Sequence, residues 1–101
     1  MGIDVQWIGE RGDVRECVLD ESDLLSEIVA GADEHSVCLR FIDPYGDAVF
    51  NQLQLPVLIE ELSAVAANRL SREAIEHRQR VIKLATKARG KVHTYIKFYG
   101  D

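Results

Sequence analysis

From Val92 to Tyr99 the chain alternates without a break, with Val92, Thr94, Ile96 and Phe98 on one side and His93, Tyr95, Lys97 and Tyr99 on the other. A period of two is the mark of a strand with one buried face and one wet face. Such a strand cannot stand alone. Its backbone groups need neighbours, and its apolar side needs a cover. The rest of the sequence must therefore supply both a sheet and a layer packed on it.

Sheet partners are easy to find. Ile3, Val5 and Trp7 alternate with Asp4 and Gln6, the polar turn Gly9–Asp13 follows, and Val14–Leu19 alternates again, which predicts an antiparallel hairpin. Ser36–Ile42 resumes the period, placing Val37, Leu39 and Phe41 on one face as a third strand. In Asp43-Pro44-Tyr45-Gly46-Asp47 an acceptor side chain, a fixed φ and a closing glycine stand where a type I turn wants them. That turn would join the third strand to a fourth at Ala48–Phe50.

The covering layer reads as three helices. Asp20, Glu21, Ser22 and Asp23 supply oxygens and negative charge for a helix N-terminus, Leu24, Leu25, Ile28 and Val29 give it an apolar face, and Gly31 should end it in the left-handed conformation. Pro56 suits a first helical turn, so a second helix should run to about Asn68 with Leu58, Leu62, Val65 and Ala66 inside and Glu60 and Glu61 outside. Ser71 is a good N-cap for a third, Arg72–Arg89, with Ala74, Ile75, Val81, Ile82, Ala85 and Ala88 buried and Glu76 and Arg80 paired outside. His77, four residues after Glu73, reads as a surface pair. The resulting expectation is one α+β domain over residues 1–101. Its order is ββαββααβ, a mainly antiparallel sheet of about five strands with three helices on one face.

Composition agrees with a folded domain. Hydrophobic residues make up 47% of 101, with 7 glycines and 2 prolines, so the chain has enough apolar material for one core without a disulfide or metal staple. The longest apolar run, Leu55–Ile59, is far short of the roughly 18 to 20 residues that span a bilayer. Met1–Val5 shows no basic region followed by an apolar stretch, and cytoplasm is the expected location, with no membrane partner. Cys17 and Cys38 stand 21 residues apart outside any paired motif, and read as free, buried small hydrophobes. A metal site would need His35, Cys38, Cys17 and His93 to converge; no such site and no cofactor is expected.

Charge supplies the functional hypotheses. Residues 1–63 hold 14 acids and 3 bases, whereas residues 64–101 hold 9 bases and 3 acids, within a net charge of −5. Asp20, Glu21, Asp23 and Glu27, joined by Asp33 and Glu34, form a candidate surface for a basic protein, and Tyr45 at its turn tip is a candidate anchor. An inhibitor or immunity-type protein that covers a basic enzyme is one form this could take. A second possibility is a single-stranded nucleic-acid or nucleotide platform from Arg89, Lys91, His93, Tyr95, Lys97 and Tyr99, whose rings would stack and whose cations would meet phosphate. A third is a homodimer or larger homo-oligomer through an edge strand or the wet sheet face. Arg80, Lys83 and Lys87 share one side of the third helix and suit an anion. No nucleophile elbow, phosphate loop or dinucleotide fingerprint is present, so the expectation leans toward binding and away from catalysis.

Overall fold

The N-terminal and C-terminal strands lie side by side at the centre of the sheet. The structure is a computed structural model that describes residues 2–100. Its strands are β1 (Asp4–Gly9), β2 (Val14–Val18), β3 (Asp47–Phe50) and β4 (Thr94–Tyr99), and its helices are α1 (Leu24–Ala30), α2 (Leu55–Ala64) and α3 (Arg72–Arg89). All strand pairs are antiparallel, in the order β2-β1-β4-β3.

Alternation decides which face is covered. Val5, Ile96, Phe98 and Phe50 point to the helices and are buried, with the Phe50 and Phe98 rings edge to face at 5.7 Å between centroids. Of the helices, α3 covers the most sheet, touching β1, β2 and β4. Ala74, Ala85 and Ala88 line its buried side, and such small side chains let a helix approach a sheet closely. Ser71 caps it as expected, its hydroxyl accepting from the Ala74 N–H at 3.1 Å. Among the described residues no helix is long and apolar enough to cross a membrane.

The α+β class holds, but the sheet has four strands and the element order is ββαβααβ. Ser36–Ile42 is not a strand; Leu39–Phe41 is a single 3-10 turn. Cys38, Leu39 and Ile42 are buried while Val37 and Phe41 are exposed, a spacing of one and three that belongs to a turn of helix. The cause lies on α2. The Glu61 carboxylate, expected in solvent, accepts the backbone N–H groups of Val37 at 2.7 Å and of Cys38 and Leu39 at 3.0 Å. Those donors are thereby lost to any sheet ladder. The Asp43–Asp47 turn forms as read, with Asp43 accepting from Tyr45 at 2.8 Å through its side chain and from Gly46 at 3.3 Å through its carbonyl. It leads from the 3-10 turn into β3 and does not close a hairpin.

Helix ends differ in their chemistry. Gly31 and Gly90 both have right-handed φ, −86° and −79°, so neither uses the left-handed freedom expected of Gly31. The C-terminus of α3 is closed instead by Gln52, whose amide donates to the carbonyls of Ala88, Arg89 and Lys91. Thr94 adds its hydroxyl to Ala88 and Lys91. These bonds turn the chain sharply through His93, at φ 60°, and β4 starts at Thr94, not Val92. Helix α2 stops at Ala64, short of Asn68, where Val65 turns extended, and buried Arg78 reaches across to this end, donating to the Leu62 and Val65 carbonyls. Ala66, expected inside, is exposed.

Candidate functional site

Strand register converts the sheet's uncovered face into a grid. Its central row reads Cys17, Gln6, Lys97, Val49 across the four strands. On one side lies Asp4, Tyr99, Asp47; on the other lies Val14, Ile8, Tyr95. The second of these outer rows is apolar, with Ile8 buried between exposed Val14 and part-buried Tyr95, and leads past Tyr95 into a groove of about 360 Å³ lined by Asn51–Leu53 and Val92–Tyr95. Leu53 and Val92 flank it with 86% and 72% of their surfaces in solvent. Water-exposed aliphatic side chains on this scale, grouped beside an apolar groove, are uncommon on a surface that meets only water.

The basic strand residues are thus divided. Tyr95, Lys97 and Tyr99 do share the open face, but His93 sits in the turn before β4, and Arg89 and Lys91 belong to the end of α3 and its exit. Lys97 lies 3.5 Å from the Asp47 carboxylate and 5.6 Å from the centre of the Tyr99 ring. Its charge is already matched within the face.

The acidic candidates are divided too. Asp20 is only 3% exposed, so it cannot serve as a surface contact. Its carboxylate accepts the N–H groups of Ile3 at 3.1 Å, Leu24 at 2.7 Å and Leu25 at 3.0 Å, tying the start of α1 to the edge of β1. The residue adjoining the helix, Asp23, makes no side-chain cap. Glu27 turns inward, its carboxylate accepting both the N–H and the hydroxyl of Ser71. Glu21 and Asp23 remain exposed at one end of α1, with Asp33 and Glu34 at the other, so a helix of about 10 Å separates the two pairs. Tyr45 is 83% exposed on its turn. Long-range ion pairs such as Lys87 with Glu16 at 2.8 Å show the basic second half neutralising the acidic first half.

A second concavity lies elsewhere, between α3 and the chain from Glu16 to Leu24. This open cleft measures about 650 Å³, with His77, Arg80 and Lys83 on the helix side. His77 is 1% exposed, which overturns the expected surface pairing with Glu73. Among the described residues its Nε2 has no hydrogen-bond partner, and it stands 3.9 Å from the Asp20 carboxylate. Desolvation lowers the His77 pKa, with a further push from Arg80, against the opposing pull of Asp20 and Asp4. The imidazole is therefore neutral at physiological pH.

Both cysteines are free; Cys38 is buried as read, but Cys17 is exposed. Desolvation raises both thiols above their ordinary pKa, with Asp4 adding to the effect at Cys17 and Glu61 at Cys38, so neither is an activated thiolate. Among the described residues no three His, Cys, Asp or Glu side chains gather into a metal-holding group.

Leu53 and Val92 escaped sequence reasoning for different reasons. Val92 continues the strand alternation perfectly and is moved outside by the His93 turn. Leu53 lies between Gln52 and Gln54 in a segment without periodicity. Compared with protein-family models, curated proteins and solved structures, the chain gives no match.

Proposed function

We propose that this is a protein-recognition module whose contact surface is the uncovered sheet face together with the groove between Leu53 and Val92. The observation that carries the reading is the pair of solvent-exposed aliphatic side chains flanking that groove, contiguous with Tyr95 and the apolar row of the sheet. Interfaces place large apolar and aromatic groups at the centre and polar groups around them. The face follows that plan, with Gln6 and Lys97 in the row beside the apolar one and Asp47 in the row beyond.

The partner is a protein that inserts an apolar side chain into the groove and carries net positive charge. Its first attraction is the module's own charge of −5, to which Glu21, Asp23, Asp33 and Glu34 contribute as a distant field. The acidic residues set the rate of encounter, and the groove holds the complex. Nucleic acid is the weaker reading. Tyr95 and Tyr99 offer rings, but the one lysine among them is matched to Asp47.

A pull-down from native lysate at low and moderate salt, with and without nuclease, tests the proposal when run with wild type beside the double variant Leu53→Ser, Val92→Ser. A discrete protein that survives nuclease, associates more slowly at higher salt and is lost with the double variant supports it. Equal capture by the variant overturns the groove as the contact. Capture that vanishes with nuclease moves the function to nucleic acid, and light scattering of the pure protein exposes a second copy as the partner.

A further inference from the structure

The cleft beneath α3 has features that recognition through the sheet face does not use. Arg80 and Lys83 line it, and among the described residues neither forms an ion pair, Arg80 not even with Glu76, its expected partner. His77 lies buried against it with an unpartnered ring nitrogen. An orphaned buried polar atom is costly in a folded protein and is an uncommon thing to keep. We infer that this cleft is a binding site for a small organic anion bearing a carboxylate or phosphate group, held by Arg80 and Lys83 with His77 at its inner end.

Helix geometry sets the shape of the ligand. His77, Arg80 and Lys83 are successive steps of three, so the two cations stand about 4.5 and 9 Å further along the axis than the imidazole. They also rotate progressively outward, from buried His77 to exposed Lys83. An anion at Arg80 and Lys83 would carry a body that reaches inward to the imidazole. At about 650 Å³ the cleft is within the range that holds small molecules.

The acids around the cleft leave room for this anion. Lys87 neutralises Glu16 at 2.8 Å, and three backbone N–H groups surround the Asp20 carboxylate. Glu21 is exposed at the rim. With His77 neutral, its ring offers one N–H and one lone pair, and so can hydrogen-bond a hydroxyl or an anion oxygen without competing for charge. Arg80 supplies a planar fork suited to carboxylate or phosphate, and Lys83 a mobile second cation.

The test uses the intact protein and two probes, inorganic phosphate and citrate, each added at constant ionic strength while the imidazole signals are followed by nuclear magnetic resonance. The expected result is a saturable movement of the His77 signals with at least one probe, while His35 and His93, both exposed, stay still. Which probe acts tells phosphate chemistry from carboxylate chemistry. Replacing Arg80→Gln and Lys83→Gln together, at exposed positions that leave the fold intact, should weaken that response about tenfold. Neither probe moving His77 in a saturable way would overturn the inference, as would an unchanged response in the double variant. Capture of a protein partner through Leu53 and Val92 should be the same in both chains, which keeps the two sites separable.

Discussion

One strand, β4, carries two different kinds of residue in strict alternation. Thr94, Ile96 and Phe98 have no measurable surface in solvent, while Tyr95, Lys97 and Tyr99 face outward over the bare side of the sheet. The backbone of both sets is fixed by the same ladders to β1 and β3. What differs is only the side on which α3 lies. The inward set is held by packing in all directions, so its identity answers to stability. The outward set is positioned with equal precision by the backbone yet released from packing, and is therefore free to answer to a partner.

The comparison is broken most forcefully by Phe98→Ala. Losing a fully buried ring that meets Phe50 should cost about 3–5 kcal/mol of unfolding free energy, whereas Tyr99→Ala one residue away should stay within about 0.5 kcal/mol, both read from urea denaturation. A smaller contrast is drawn by two adjacent glutamates on α2. Glu61→Ala removes the acceptor of three backbone N–H groups and should cost about 1–3 kcal/mol, while exposed Glu60→Ala should be close to neutral.

A proton sharpens it further. His77 has a folded pKa below its ordinary 6.5, so the unfolded chain binds a proton more readily than the native one. Its stabilising contribution is complete above about pH 6.5 and is lost as the pH falls from there toward the lowered folded value. Thermal midpoints should drop over that window in wild type and drop less in His77→Asn, whereas replacing exposed His35 or His93 should leave the slope unchanged. A small effect on stability is also expected of Lys97→Ala. Its unfolding free energy should lie within about 0.5 kcal/mol of wild type, since its partner Asp47 is a half-exposed surface acid. Affinity for a partner seated on the sheet is where that substitution should register.

How much of this was legible depended on whether local pattern and tertiary context agreed. The boundaries of α3 were readable to the residue, because Ser71, an apolar stripe and Gly90 all point to one answer. The hairpin of β1 and β2 was readable for the same reason. Ser36–Ile42 was misleading because its alternation is real, and only a carboxylate 22 to 24 residues later diverts its N–H groups. His77 was misread because helical spacing from Glu73 says nothing about the cleft that buries it. The acidic surface was overcounted: Asp20 and Glu27 carry the same formal charge as Glu21 and Asp23, but their partners, Ile3 and Ser71, lie far away in sequence. Neither the register that assembles the open face nor the Leu53 groove follows from local pattern, since both depend on strand order.

The adjacency of β1 and β4 also has a kinetic consequence. Strand β1 is made well before β4, yet each supplies the other's longest ladder. Until β4 emerges, Val5 and Trp7 have only β2 beside them, and β3 has no strand neighbour among the described residues. Closure of the sheet waits for residues 94–99 and spans nearly the whole chain, a connection that favours slow, late and all-or-none assembly. Until then the two strand edges that β4 will cover, one on β1 and one on β3, stand unpaired, and chaperones that shield exposed β-segments would have their longest opportunity there.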